Sequence, residues 1–266
     1  MKEIKKIKII RTKISYLFLN QLLKAISNQI NIKKNKKKIS FYITVNAVHG
    51  VSESTFNTKL KNSINRSSIA LPDGRPIYWA LKLLGKNTQH LPGYFVTEKI
   101  LKFAKEKNFK IGIYGSTNDT QKKFITKIKK RYAPLNISYI YSPPFRSLKL
   151  KEKKKIQKKI NRSKTDILFV ALGAPKQEIW MYDNYKDLNC ILIGIGAAID
   201  FISGNKNLPP KFMERFGLAW LYRLFLEPKR LFLRYLVTNS IFLFFFTIQY
   251  IKFKFRNYLW IKIKRF

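Results

Sequence analysis

Cysteine is almost absent: Cys190 is the single thiol in 266 residues. A lone cysteine forms no internal disulfide, which fits a reducing compartment. With only two histidines, His49 and His90, beside it, the chain is poor in the ligands of a structural zinc cluster. Acids are scarce as well. Fourteen Asp and Glu stand against 54 Lys and Arg, a formal net charge of +40. Phosphate-binding P-loops, complete GxGxxG fingerprints and internal repeats are all missing. Helix-turn-helix, OB and RNP patterns are missing too, so nucleic acid is not the expected partner despite the charge.

What is present is a core. Hydrophobic residues make up 46% of the chain and aromatics 15%, too much for a disordered basic tail. The positive field attracts polyanions such as anionic lipid or phosphorylated substrates. Only 12 of the 54 basic residues are Arg. A dedicated phosphate-reading surface favours the planar, bidentate Arg, so much of the lysine reads as compositional drift.

The grammar of the chain changes twice. Residues 1–38 form a basic N-terminal extension. Its apolar patch Ile14–Leu23 predicts an amphipathic helix, and Lys33–Lys38 a solvated linker or membrane-facing loop. From Ile39, four apolar, β-branched runs end near Gly or Asn: Ser40–Asn46, Lys110–Gly115, Asp166–Gly173 and Cys190–Gly196. Segments of helical spacing lie between and after them, at Val96–Lys107, Thr117–Arg131, Lys151–Asn161 and Lys176–Tyr185. Alternating strands and helices predict an α/β domain over 39–208 with a mostly parallel sheet. Ligands bind such sheets beyond the carboxyl ends of the strands. In the tail, 209–266, Pro228 opens a helix and Tyr235–Ile251 carries no charge. That length is near the minimum for spanning a bilayer, and its polar residues favour a helix lying in the interface.

Several residues could do chemistry. Asp73 sits in the turn Leu71-Pro72-Asp73-Gly74-Arg75-Pro76. The residues leave two roles open: an Asx turn or helix N-cap, or a general base. Gly173-Ala174-Pro175-Lys176-Gln177-Glu178 follows a strand and opens a helix, with Pro at the first helical position. Its free N–H groups suit a diphosphate. Gly194 and Gly196 allow close backbone approach, with Asp200 just beyond. Arg223, Arg230 and Arg234 could clamp phosphates or face lipid headgroups. His49 and His90 lack partners at ligand spacing and read as structural.

In order, Thr44-Val45-Asn46, Pro72-Asp73-Gly74, Tyr114-Gly115, Ser142-Pro143-Pro144-Phe145, Gly173 to Glu178, Gly194 to Phe201, Trp220 to Leu224, Glu227 to Arg230 and Arg234-Tyr235 resemble the WecG/TagA/CpsF family of bacterial glycosyltransferases. The resemblance covers about residues 39–240. It implies a Rossmann-like catalytic domain with a helical C-terminal membrane-binding appendage. It further implies inverting transfer of a sugar, of N-acetylmannosamine or glucose type, from a UDP-sugar to a polyprenyl-diphosphate-linked sugar. The setting would be assembly of teichoic acid, capsule, exopolysaccharide or common antigen at the cytoplasmic face of the membrane, next to anionic inner-leaflet lipid. No metal or cofactor is implied, and homo-oligomers are compatible with it. The family's base matches Asp73 and its strand-end Thr matches Thr44. Asn46, Gly74, Gly115, Gly173, Pro175, Lys176, Gln177, Glu178, Gly194, Gly196 and Asp200 fall at substrate-binding positions, with Arg223, Arg230 and Arg234 from the appendage. Three departures stand out: Asn207-Leu208-Pro209-Pro210 stands where an Arg-Ala-Pro step is usual, Ala219 replaces a frequent acid before Trp220, and Phe95 replaces a frequent Asp. A rival reading is a non-catalytic basic membrane scaffold that keeps the fold.

Overall fold

The computed structural model describes residues 4–35 and 37–263, with side chains described up to 256. Six parallel strands form the central sheet in the order β4-β3-β8-β7-β5-β6. They are β3 (Phe41–Asn46), β4 (Ile69–Pro72), β5 (Ile111–Gly115), β6 (Ile137–Tyr141), β7 (Ile167–Ala171) and β8 (Ile191–Gly194). The four runs read from sequence are β3, β5, β7 and β8. Every residue of β5, β7 and β8 is buried, as expected for strands covered on both faces. Helices supply the covers. One face carries α1 (Leu19–Lys34), α5 (Gly93–Glu106), α6 (Asn118–Tyr132) and α9 (Ala198–Ser203). The other carries α7 (Leu150–Arg162) and α8 (Lys176–Asn184).

The N-terminal residues depart from expectation. Ile14 lies in a strand, not a helix: β1 (Lys6–Ile9) and β2 (Thr12–Ser15) pair antiparallel, and the helix starts only at Leu19. Ile9 and Ile14 are fully buried, and Ser15 Oγ accepts from Ala70 N at 3.0 Å on the edge strand β4. Lys33, expected in a solvated linker or membrane-facing loop, lies in the last turn of α1 and pairs with Asp166 at 2.8 Å. Strand-period alternation places Ile7, Ile9 and Ile14 on one face, which packs with Leu60, Ile64 and Ile77, while Ser15 meets the β4 edge.

The tail folds as α10 (Lys211–Arg215), α11 (Ala219–Leu226) and α12 (Pro228–Ile263). α12 docks lengthwise on α2 (Val48–Glu53) and on the hairpin. Phe242 and Phe246 join Val51, Ala80 and Ile14 in a satellite core. Ser52 Oγ donates to Thr238 O at 2.7 Å. Gln249 accepts from Ile10 N at 2.6 Å and donates to Lys8 O at 2.7 Å. The opposite face of α12 leaves Leu233, Val237, Phe244, Ile248, Ile251 and Phe255 exposed. Pro228–Arg256 is long and apolar enough to cross a membrane by length and composition.

Candidate active site

A cavity of about 1030 Å³ opens beyond the carboxyl ends of β3, β4, β5, β7 and β8. Each strand hands it a loop: Ala47–His49, Asp73–Pro76, Ser116, Leu172–Gln177 and Ile195–Phe201. Lys206 and, from the tail, Glu214, Trp220, Arg223, Arg230 and Arg234 close it. A volume at the upper end of ordinary ligand pockets leaves room for two substrates.

Asp73 stands at the turn after β4. Its backbone N–H donates to Asn46 O at 3.0 Å, so the end of β3 holds the turn in place. Its Oδ1 accepts from Gly93 N at 3.0 Å, the first residue of α5. The residue that caps α4 (Arg75–Leu83) is Gly74, at φ +74°, a conformation that favours glycine. Asp73 is therefore no helix cap of α4, and its carboxylate faces the cavity. Burial raises its pKa above the ordinary carboxylate value, while the Gly93 and Gly74 amides and the Arg223 charge pull the other way.

Gln177 is buried between two strand-end loops. Its Oε1 accepts from Gly196 N at 3.0 Å, and its Nε2 donates to Glu178 at 2.8 Å. A Cβ at Gly194 would lie 2.8 Å from Met181 and 3.2 Å from the Gln177 amide, so the β8 end admits no side chain. Pro175 is the N-cap of α8 rather than its first helical residue, and Lys176 begins the helix, exposed at the cavity. Gly173, Pro175, Lys176, Gln177, Gly194, Gly196 and Asp200 all line the cavity, as do Gly74 and the three arginines. Asp200 has its pKa raised by burial, against the nearby charges of Lys206, Arg223 and Arg230. Glu227 holds Lys206 and Arg230 together by ion pairs.

Four expected site residues do not reach the cavity. Thr44 is fully buried and Asn46 nearly so, with Asn46 Nδ2 donating to Thr44 Oγ1 at 2.9 Å. They form the floor beneath the Asp73 turn, because strand pleating points both side chains into the packed interior. Gly115 lies behind Ser116, its backbone against Ala171 O. Glu178 is buried behind Gln177, its Oε2 without a hydrogen-bond partner among the described residues, and burial lifts its pKa to about 7.

Other lining residues were not among the site candidates from sequence. His49 and His90, expected as structural, both line the cavity. Burial first, then Arg234 and Arg223, lowers the His49 pKa to about 4, so the ring is neutral beside two cations. Ser116 adopts φ +63°, rare for a residue with a side chain, and its carbonyl accepts from Ser142 Oγ at 2.6 Å. Tyr94 donates to the Glu214 carboxylate at 2.9 Å, and Arg75 Nε to Glu214 O at 3.2 Å. These tie α10 to both sides of the Asp73 turn. The visible signal was Gly-Ser-Thr after a strand for Ser116; none marked the Tyr94–Glu214 pair, whose partners lie far apart in sequence.

A base candidate and an arginine cluster at one sheet-end cavity agree with what the sequence matches. The chain is 30% identical over 199 residues to the N-acetylglucosaminyldiphosphoundecaprenol N-acetyl-beta-D-mannosaminyltransferase of Bacillus spizizenii W23, covering 74% of this chain and 75% of that protein. It is 34% identical over 170 residues to the protein of the same name from Bacillus subtilis 168, covering 63% and 64%. For the one from Staphylococcus aureus NCTC 8325 the figures are 24% over 212 residues, covering 79% and 82%. The family description "Glycosyl transferase WecG/TagA/CpsF family" matches residues 7–256, nearly the whole chain, and the protein is a glycosyltransferase of that family.

Proposed function

We propose that the protein transfers N-acetylmannosamine from a UDP-linked donor to a polyprenyl-diphosphate-linked N-acetylglucosamine, with inversion, in cell-surface polysaccharide assembly. The observation that carries this reading is one cavity shared by the Asp73 carboxylate and three arginines from the tail. The names of the similar proteins support the sugar and the acceptor class.

The reaction is a single displacement at the anomeric carbon. The acceptor hydroxyl oxygen forms the new bond as the bond to the UDP oxygen breaks. Asp73 accepts the hydroxyl proton. A buried carboxylate with a raised pKa is a stronger base than a solvated one, and Arg223 helps keep it ionised. Negative charge grows on the departing diphosphate. Arg223, Arg230, Lys176 and the first N–H groups of α8 meet that charge from fixed positions. Neutral His49 adds a hydrogen-bonding group without further charge. Thr44 and Asn46 act by supporting the Asp73 turn. The exposed apolar stripe of α12, flanked by Lys252, Lys254 and Arg256, supports peripheral attachment at the cytoplasmic membrane face.

The test is transfer by purified protein to a polyprenyl-diphospho-N-acetylglucosamine, with UDP-N-acetylmannosamine and UDP-glucose compared as donors. Asp73→Asn is expected to fold and to lose about 10²- to 10⁴-fold in turnover. Near-normal turnover of that variant, or preference for UDP-glucose, overturns the corresponding part of the reading.

A further inference from the structure

The cavity has two chemically different ends. Arg75 in the first turn of α4, two residues beyond Asp73, and Arg230 and Arg234 in the first turns of α12 put charge at the start of both helices. Further along the same helices the walls become hydrocarbon: Trp79, Ala80 and Leu83 from α4, and Phe242, Leu243 and Phe246 from α12. From Arg230 to Phe246 the wall follows about 24 Å of helix at about 1.5 Å per residue. We propose that the crevice between α4 and α12 is a hydrocarbon subsite for the prenyl chain of the acceptor, an assignment that rests on the acceptor class proposed above.

Three observations support it. The order of chemistries along the cavity repeats the order in a polyprenyl-diphosphate sugar. Asp73 takes the sugar hydroxyl, Arg234 lies one helical turn beyond Arg230 to meet the lipid-linked diphosphate, and the apolar walls follow. Next, the crevice is built but uncovered. Phe242 and Phe246 form a buried floor against Val51 and Ala80, while Trp79, Leu83 and Leu243 keep 42%, 48% and 65% of their surface open at its edges. Apolar rims left in water gain by taking up a hydrocarbon chain. Finally, the crevice is separate from the outward stripe of α12. At about 100° per residue, Leu233, Phe244 and Ile251 lie about half a turn around the helix from Phe242 and Phe246. Bilayer contact through that stripe leaves the crevice free for the acceptor.

Calorimetric titration with farnesyl diphosphate and with inorganic diphosphate tests the subsite without relying on turnover. The wild-type protein is expected to bind farnesyl diphosphate at least about tenfold tighter than inorganic diphosphate. Leu83→Asn with Leu243→Asn, both at open positions that preserve folding, is expected to remove about tenfold of the farnesyl affinity and to leave inorganic diphosphate within about twofold. Equal affinities in the wild type overturn the proposal, as does an equal loss for both ligands in the variant. Binding to phosphatidylglycerol vesicles is expected to be unchanged. A parallel loss there makes the crevice a membrane-lipid contact and also overturns it. Should the wild type prefer farnesyl diphosphate yet transfer no sugar to a prenyl-linked acceptor, the reaction proposed above fails while the subsite stands.

Discussion

Asp73 shows how surroundings tune a candidate base. Its turn is fixed from below by Asn46 O and from the side by Gly93 N, so the carboxylate has little freedom. Its raised pKa predicts an acid limb in kcat/KM lying above the ordinary aspartate value of about 4. Below that limb the carboxyl is protonated and accepts no proton; a limb at the ordinary value contradicts the raised pKa. The same shift has a stability consequence. An acid whose folded pKa exceeds its unfolded pKa weakens the fold when it ionises. Asp73→Asn is therefore expected to raise Tm at neutral pH while lowering turnover, and an unchanged or lowered Tm counts against a desolvated carboxylate.

Glu178 gives the cleaner stability test because it is fully buried and its folded pKa is about 7. Its cost is absent below pH 4.5, the unfolded value, and complete above about 7. Stability should fall as pH rises through that window. Glu178→Gln removes the ionisation and should flatten the decline. The gain at pH 8 is of the order of 3 kcal/mol, from about 1.4 kcal/mol per pKa unit. Denaturant midpoints of both proteins at pH 5 and pH 8 decide it; parallel pH curves refute the assignment.

Among the elements, α12 carries two tasks on two faces. One face belongs to the core, through Phe242, Phe246 and the two Gln249 hydrogen bonds to the hairpin. Gln249→Ala leaves Ile10 N and Lys8 O unpaired by protein and should lower stability by about 1–3 kcal/mol, read from the urea midpoint. No change would mean the helix end is not docked. Ending the chain after Leu236 deletes both tasks together: the buried phenylalanines, each worth about 3–5 kcal/mol as Phe→Ala, and the outward apolar stripe. That truncation is expected to lose both thermal stability and vesicle binding. The element reading from sequence succeeded where strands are buried on both sides, as in Ile167–Ala171. It missed β4, because Ile69–Pro72 is only four residues long and runs into a Pro-Asp-Gly turn. It missed β6, where an edge position leaves Ile140 open to water and breaks the apolar run. Alternation in Lys6–Ser15 was hidden by the density of lysine.

For the whole molecule, the charge of +40 predicts strongly salt-dependent attachment to anionic vesicles. The Debye length falls from about 10 Å at about 0.1 M salt to about 3 Å at about 1 M. Binding should weaken steeply over that range and keep a residual part from the apolar stripe. Salt-independent binding refutes an electrostatic contribution, and complete loss refutes the apolar one.

The sequence by itself determined the α/β class, the parallel core strands and the family, because apolar runs and ordered motifs are local features readable residue by residue. It also picked out Asp73 and the three tail arginines, since scarce acids and arginines stand out against lysine. Only the tertiary structure decided which of the candidates share a cavity. It buried Thr44, Asn46 and Glu178, brought His49, His90 and Ser116 to the wall, and brought apolar residues of α4 and α12 to the same cavity. Those outcomes depend on which strands become neighbours and which face of each element turns inward. Both are settled by packing between segments far apart in the chain, which no local pattern records.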